Sequence, residues 1–86
     1  MSFCRIIEVL ILQFKSKNSL VRLRIATYFE IIIQRYDIDF LHKSQKTLEN
    51  DFLLKGIDDQ AQDVRKQVRM CWRAYQEVEE FSERVN

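Results

Sequence analysis

The sequence predicts an all-α chain built as two antiparallel helical hairpins stacked on each other. Three observations predict it. The 86 residues include one Gly and no Pro, so almost nothing interrupts a helix and little supplies the turn chemistry that strands need. Apolar residues make up 47% of the chain. That suits an efficient helical core, which a domain of this size needs because it buries only about 60–65% of the surface its unfolded chain exposes. Finally, apolar positions recur with helical spacing in two segments set 43 residues apart.

The first helix is expected over about residues 2–15. From Phe3 to Phe14 it is nearly continuous hydrophobe, and a helix apolar on nearly all sides must be covered on nearly all sides. The polar stretch Lys15–Ser19 ends it. Asn18 or Ser19 can cap the second helix, about residues 19–36, by accepting a bond from a free backbone N–H. Residues 37–43, within and after "YDIDF", read as a connector. The third helix spans about 44–56, with Ser44 or Asp39 as its cap. Gly56 falls near its C-terminus, where a left-handed residue is easiest for Gly. "DDQAQD" is a turn. The fourth helix covers about 61–77, and the tail to residue 86 is either further helix or frayed. Residues 1–36 and 44–86 thus form two similar units.

The similarity extends residue by residue. Val21, Ile25, Tyr28, Phe29 and Ile32 follow the spacing i, i+4, i+7, i+8, i+11. So do Val64, Val68, Cys71, Trp72 and Tyr75, each 43 residues later. Val9, Leu10, Ile11 and Phe14 correspond to Phe52, Leu53, Leu54 and Ile57. Two helices per unit with a period of 40–47 residues is the mark of a HEAT-type α-solenoid, in which stacking of hairpins buries faces that one hairpin cannot bury alone. Two units are fewer than the three or so that such arrays need, so a longer array with neighbouring repeats is expected. On these spacings the aromatic residues Phe29, Tyr28, Trp72 and Tyr75 belong to the core.

The charge balance, 14 basic against 13 acidic residues, argues against a dedicated nucleic-acid domain. The apolar runs "RIIEVLILQF" and "IIIQ" are too short and interrupted to span a bilayer, which needs ~20 residues, and no signal peptide is visible. Cys4 and Cys71 are too few and too far apart for a disulfide framework or a zinc site, and read as free buried thiols in a reducing compartment. No catalytic constellation, metal site or cofactor motif is evident. His42 has no partner at metal or triad spacing, and Glu77, Glu79, Glu80 and Glu83 read as a solvated face. On the fourth helix Arg65 and Trp72 flank the apolar stripe while Lys66, Arg69 and Arg73 face outward.

The segments "LLKGIDDQAQDVRKQVRMCWRAY" and, less specifically, "NSLVRLRIATYFEIII" resemble the last repeats of a TOG domain, a HEAT-repeat array of the CLASP type of microtubule-associated protein. The Lys55–Asp59 turn, the Val64-Arg65 helix start and the run Arg69, Cys71, Trp72 carry the resemblance, which covers most of residues 5–76. It implies a protein without enzymatic activity that binds tubulin or microtubules, in the cytoplasm at the cytoskeleton, through the turns within each repeat. Those turns would be Lys15–Ser19 and Asp58–Gln62. Lys15, Lys17, Asn18, Arg22 and Lys66 are then the candidates for tubulin contact. The resemblance also implies a brace in which Asp59 or the turn carbonyls bind Arg65. In the first unit Ser16 stands in the aspartate's place, which leaves Arg22 the freer arginine. The second turn, with Asp58 and Asp59, suits an acidic target less well than the first. The competing expectation is a structural HEAT scaffold for another protein partner. Self-association through the apolar face of residues 3–14 is a further expectation.

Overall fold

A computed structural model describes the backbone of residues 3–35 and 38–85 and the side-chain surroundings of residues 5–35 and 38–80. Among these residues every element is a helix. Helix α1 is Phe3–Phe14, α2 is Ser19–Arg35 and α3 is Ile38–Lys43. A short α4, Gln45–Thr47, leads through a π-helical segment, Leu48–Leu53, into α5, Leu54–Gly56. Helix α6, Gln62–Val85, completes the chain. The thiol of Cys4, the Tyr36–Asp37 part of the connector and the side chain of Glu83 lie outside the described residues.

The cap of α2 is Asn18: its Oδ1 accepts the N–H of Leu20 at 2.9 Å. Residues 38–43 are helical rather than a plain connector, and the expected third helix is present as an uninterrupted spiral over 45–56 whose middle six residues are π-helical. Asp39 lies in the first turn of α3, where a carboxylate meets the positive end of the helix dipole. Ser44 is buried, and its side chain caps nothing. Its backbone continues the spiral instead, with its N–H donating to the Phe40 carbonyl and its carbonyl accepting from Leu48. The wider π-helical turn then puts Leu48, Phe52 and Leu53 on one fully buried face, a five-residue spacing that one π turn closes.

Gly56 departs from expectation. It is not in the left-handed region. A Cβ at this position would lie 2.5 Å from Val68 Cγ2, so glycine is required by the close approach of α5 to α6. The core is centred on three phenylalanines. Phe52 stacks on Phe29 with centroids 4.1 Å apart and meets Phe14 edge-on at 5.0 Å. Helix α2 makes its most extensive contact with α6 and also packs on α1, and α1 reaches the π-helical segment.

On α6, Val64, Val68, Cys71 and Tyr75 are buried, and Lys66, Arg69 and Arg73 are exposed, as the spacing predicts. The helix continues to Val85, well past residue 77. Phe29 is buried and Trp72 half-buried, but Tyr28 is exposed. Its position on α2 matches that of Cys71 on α6. Cys71 is covered by α2, while nothing among the described residues covers the corresponding side of α2.

Candidate functional site

The two turns that precede α2 and α6 are built by the same hydrogen bonds, shifted by 43 residues. Lys15 N–H donates to the Leu12 carbonyl, and Asp58 N–H to that of Lys55. Ser16 N–H donates to Gln13, and Asp59 N–H to Gly56. The N–H of Asn18 binds Ser16 Oγ at 3.2 Å; the N–H of Ala61 binds Asp59 Oδ1 at 2.9 Å. Arg22 and Arg65 follow the same rule, since their N–H groups bind the carbonyls of Asn18 and Ala61. Serine and aspartate both make this local side-chain turn, so Ser16 serves locally where Asp59 does.

The guanidinium groups repeat as well. Arg22 Nη1 donates to the Ser16 carbonyl at 2.8 Å, and Arg65 Nη1 donates to the Asp59 carbonyl at 2.6 Å and to that of Gln60 at 3.1 Å. Each arginine therefore ties the start of its helix to the turn six residues before it. Arg65 takes the turn carbonyls and leaves the Asp59 carboxylate to another partner.

That partner is Arg22. Its Nε donates to Asp59 Oδ2 at 2.8 Å and its Nη2 to Oδ1 at 3.0 Å, a two-pronged ion pair that is largely shielded from solvent. Arg22, expected to be the freer arginine, is the more heavily engaged one. Burial pushes the Asp59 carboxyl upward, but the bonds from Arg22 and from the Ala61 N–H, with the nearby Arg65 charge, outweigh it and hold the carboxyl below its ordinary range. The bond to Asp59 likewise raises Arg22 above its usual value. The sequence hides this pair because the two residues are 37 positions apart. The available signal was the Asp-to-Arg spacing of six: within the unit Arg65 meets it through the Asp59 carbonyl, while the Asp59 carboxylate goes to the arginine of the other unit.

The paired turns border an open depression of about 430 Å³, lined by Lys15, Ser16, Lys17, Arg22, Asp58, Asp59 and Gln60. The structure thus brings together Lys15, Lys17 and Arg22 from the predicted set. Asn18 is exposed but serves as a cap, and Lys66 is exposed on α6 away from the depression. With Arg22 and Asp59 neutralising each other, the charges left facing solvent are Lys15, Lys17 and Asp58.

A second groove, about 300 Å³, lies between the π-helical segment and α6, with Leu53, Leu54 and Trp72 between Glu49 and Glu79. The Tyr75 hydroxyl donates to Glu49 Oε1 there at 3.1 Å, and burial with the neighbouring carboxylates raises its pKa. Cys71 is a free buried thiol donating to the Ala26 carbonyl, pushed up to about 12 by burial and by Glu30. Among the described residues no group of His, Cys, Asp and Glu could hold a metal ion, and no helix is long and apolar enough to cross a membrane. His42 is exposed on α3. No family profile, curated protein or solved structure matches the chain.

Proposed function

We propose that the chain is a two-repeat segment of a HEAT-type solenoid that binds tubulin or microtubules, as its resemblance to CLASP-type TOG domains implies. The repeat reading rests on the matched turns and on burial. Ile7, Ile11, Ala26 and Ile33 are buried, whereas Asn50, Leu54, Arg69 and Gln76, 43 residues on, are exposed. Such an alternation is expected when the second unit covers one side of the first and nothing covers the same side of the second.

The observation that carries the binding proposal is the charge left on the turn edge. The Arg22–Asp59 pair neutralises one of the two carboxylates of the second turn and ties the two turns together, so that Lys15 and Lys17 outnumber Asp58 on the exposed edge. A cationic edge suits an acidic protein surface, for which complementarity sets on-rate and register. Size-exclusion chromatography with free tubulin and pelleting with microtubules test the proposal. Binding is expected for the parent chain and loss of it for the Lys15→Glu, Lys17→Glu double variant. Equal behaviour of the two would sink the edge. The second reading, a structural repeat that braces a scaffold for another partner, is favoured by the inward engagement of Arg22, and it predicts no interaction with tubulin in either assay.

A further inference from the structure

Three side chains exposed in the first half sit where the second half is buried. Val9, Tyr28 and Ile31 are 46%, 55% and 45% exposed, while Phe52, Cys71 and Ala74, 43 residues later, are 0%, 0% and 8%. The second half buries those positions against the first: Phe52 against Phe14 and Phe29, and Cys71 against the Ala26 carbonyl. The exposed side of α1 and α2 therefore carries the apolar half of the same kind of contact. Arg24 holds the position of Gln67, whose Nε2 donates to Glu30 Oε2 across the α2–α6 interface at 3.2 Å.

The opposite end of the molecule is different. On α6, Lys66, Arg69 and Gln76 replace Leu23, Ala26 and Ile33 of α2, and Arg73 replaces Glu30. A copy of this chain stacked head to tail would put Arg24 against Arg73 and its turn Ser16, without a carboxylate, against Arg65. A copy stacked face to face would oppose two surfaces drawn from residues 3–35, which hold five basic residues besides the paired Arg22 against two acidic ones. Both arrangements set like charges together, which opposes association.

We infer that the outer face of α1 and α2, formed by Val9, Tyr28 and Ile31 with Arg24 beside them, docks a helix of another protein segment that bears an apolar stripe and a carboxylate opposite Arg24. The docked helix lies as α2 lies on α6, its carboxylate in the place of Glu30. The inference rests on the repeat geometry and is independent of whether the turn edge binds tubulin.

The test uses two full-length chains. The donor carries Lys66→Leu, Arg69→Ala, Arg73→Glu and Gln76→Ile, which copies the inner face of α2 onto α6, together with Tyr28→Glu, which blocks its own outer face. The acceptor is the unmodified chain. Sedimentation velocity of the mixture should show a 1:1 complex, weakened about tenfold or more by Tyr28→Glu in the acceptor. An Arg24→Glu acceptor should likewise lose the donor and recover binding to a second donor that retains Arg73. A stapled helix with the sequence of residues 20–35, with Gln at positions 20, 28 and 31, serves as an independent probe if the donor loses helix content by circular dichroism. Failure of both probes to bind, or binding indifferent to the charge at position 24, overturns the inference. So does dimerisation of the unmodified chain abolished by Tyr28→Glu, which would assign the face to a second copy. Tubulin binding measured in parallel separates failure here from failure of the turn edge.

Discussion

A single residue, Asp59, fixes the relation between the two turns. Its carboxylate accepts two bonds from Arg22 and one from the Ala61 N–H, and its carbonyl accepts from Arg65. Replacing it with Asn keeps the shape but removes the charge that completes the Arg22 fork, leaving a partly buried guanidinium poorly matched. The expected loss is about 1–3 kcal/mol, the range for a charge-assisted bond removed from one side. The pH dependence follows from the lowered carboxyl of the folded chain. On acidification the unfolded chain takes up this proton first, near pH 4, and the folded chain only at lower pH. The stabilisation is therefore complete above about pH 4 and is lost as pH falls through the folded-state value. Urea denaturation between pH 2 and 7 should show this acid limb in the parent chain and a shallower one in Asp59→Asn. Identical limbs would mean that the pair contributes nothing to stability.

At the scale of elements, α2 and α6 were legible because a long stripe at helical spacing is a strong signal, and Val64, Val68, Cys71 and Tyr75 are buried as the stripe requires. The short α3 was not, since six residues with Ile38, Phe40 and Leu41 cover too few turns to display a period. The π-helical segment escaped because its buried set, Leu48, Phe52 and Leu53, has a spacing that an ordinary α-helical stripe also contains. The site was half legible: Lys15 and Lys17 stand on the turn edge, but the partner of Arg22 is on the other turn, beyond any local pattern. Gly56 illustrates the same limit. Its sequence position suggested a left-handed cap, while its reason for being glycine is a contact with Val68 across two helices. Gly56→Ala should accordingly destabilise by about 1–3 kcal/mol, the usual range for overpacking, even though alanine is the better helix former. Adding Val68→Ala should recover part of that loss by giving the new methyl room. Thermal melts of the single and double variants check this; a Gly56→Ala chain as stable as the parent would show that the two helices can separate freely.

For the whole molecule, the two ends are unlike. The outer side of α1 and α2 is apolar and cationic, and the outer side of α6 replaces the matching apolar residues with Lys66, Arg69 and Gln76. That polarity removes the apolar burial that would draw another helix onto the outer side of α6. The effect should be reversible by sequence. Lys66→Leu, Arg69→Ala, Arg73→Glu and Gln76→Ile in a chain that keeps Tyr28 give one molecule both complementary faces, with Glu at position 73 able to meet Arg24 of the next copy. The contact is head to tail and does not close on itself, so association should be open-ended. Sedimentation velocity should show a mean size that rises steadily with concentration and falls with added salt, since the Arg24 pair near the surface is screened. Tyr28→Glu in the same background should return a monomer. If the four-residue variant folds and stays monomeric at every concentration, the residues on α6 are not what limits stacking, and the end of the molecule is set by something other than its polar face.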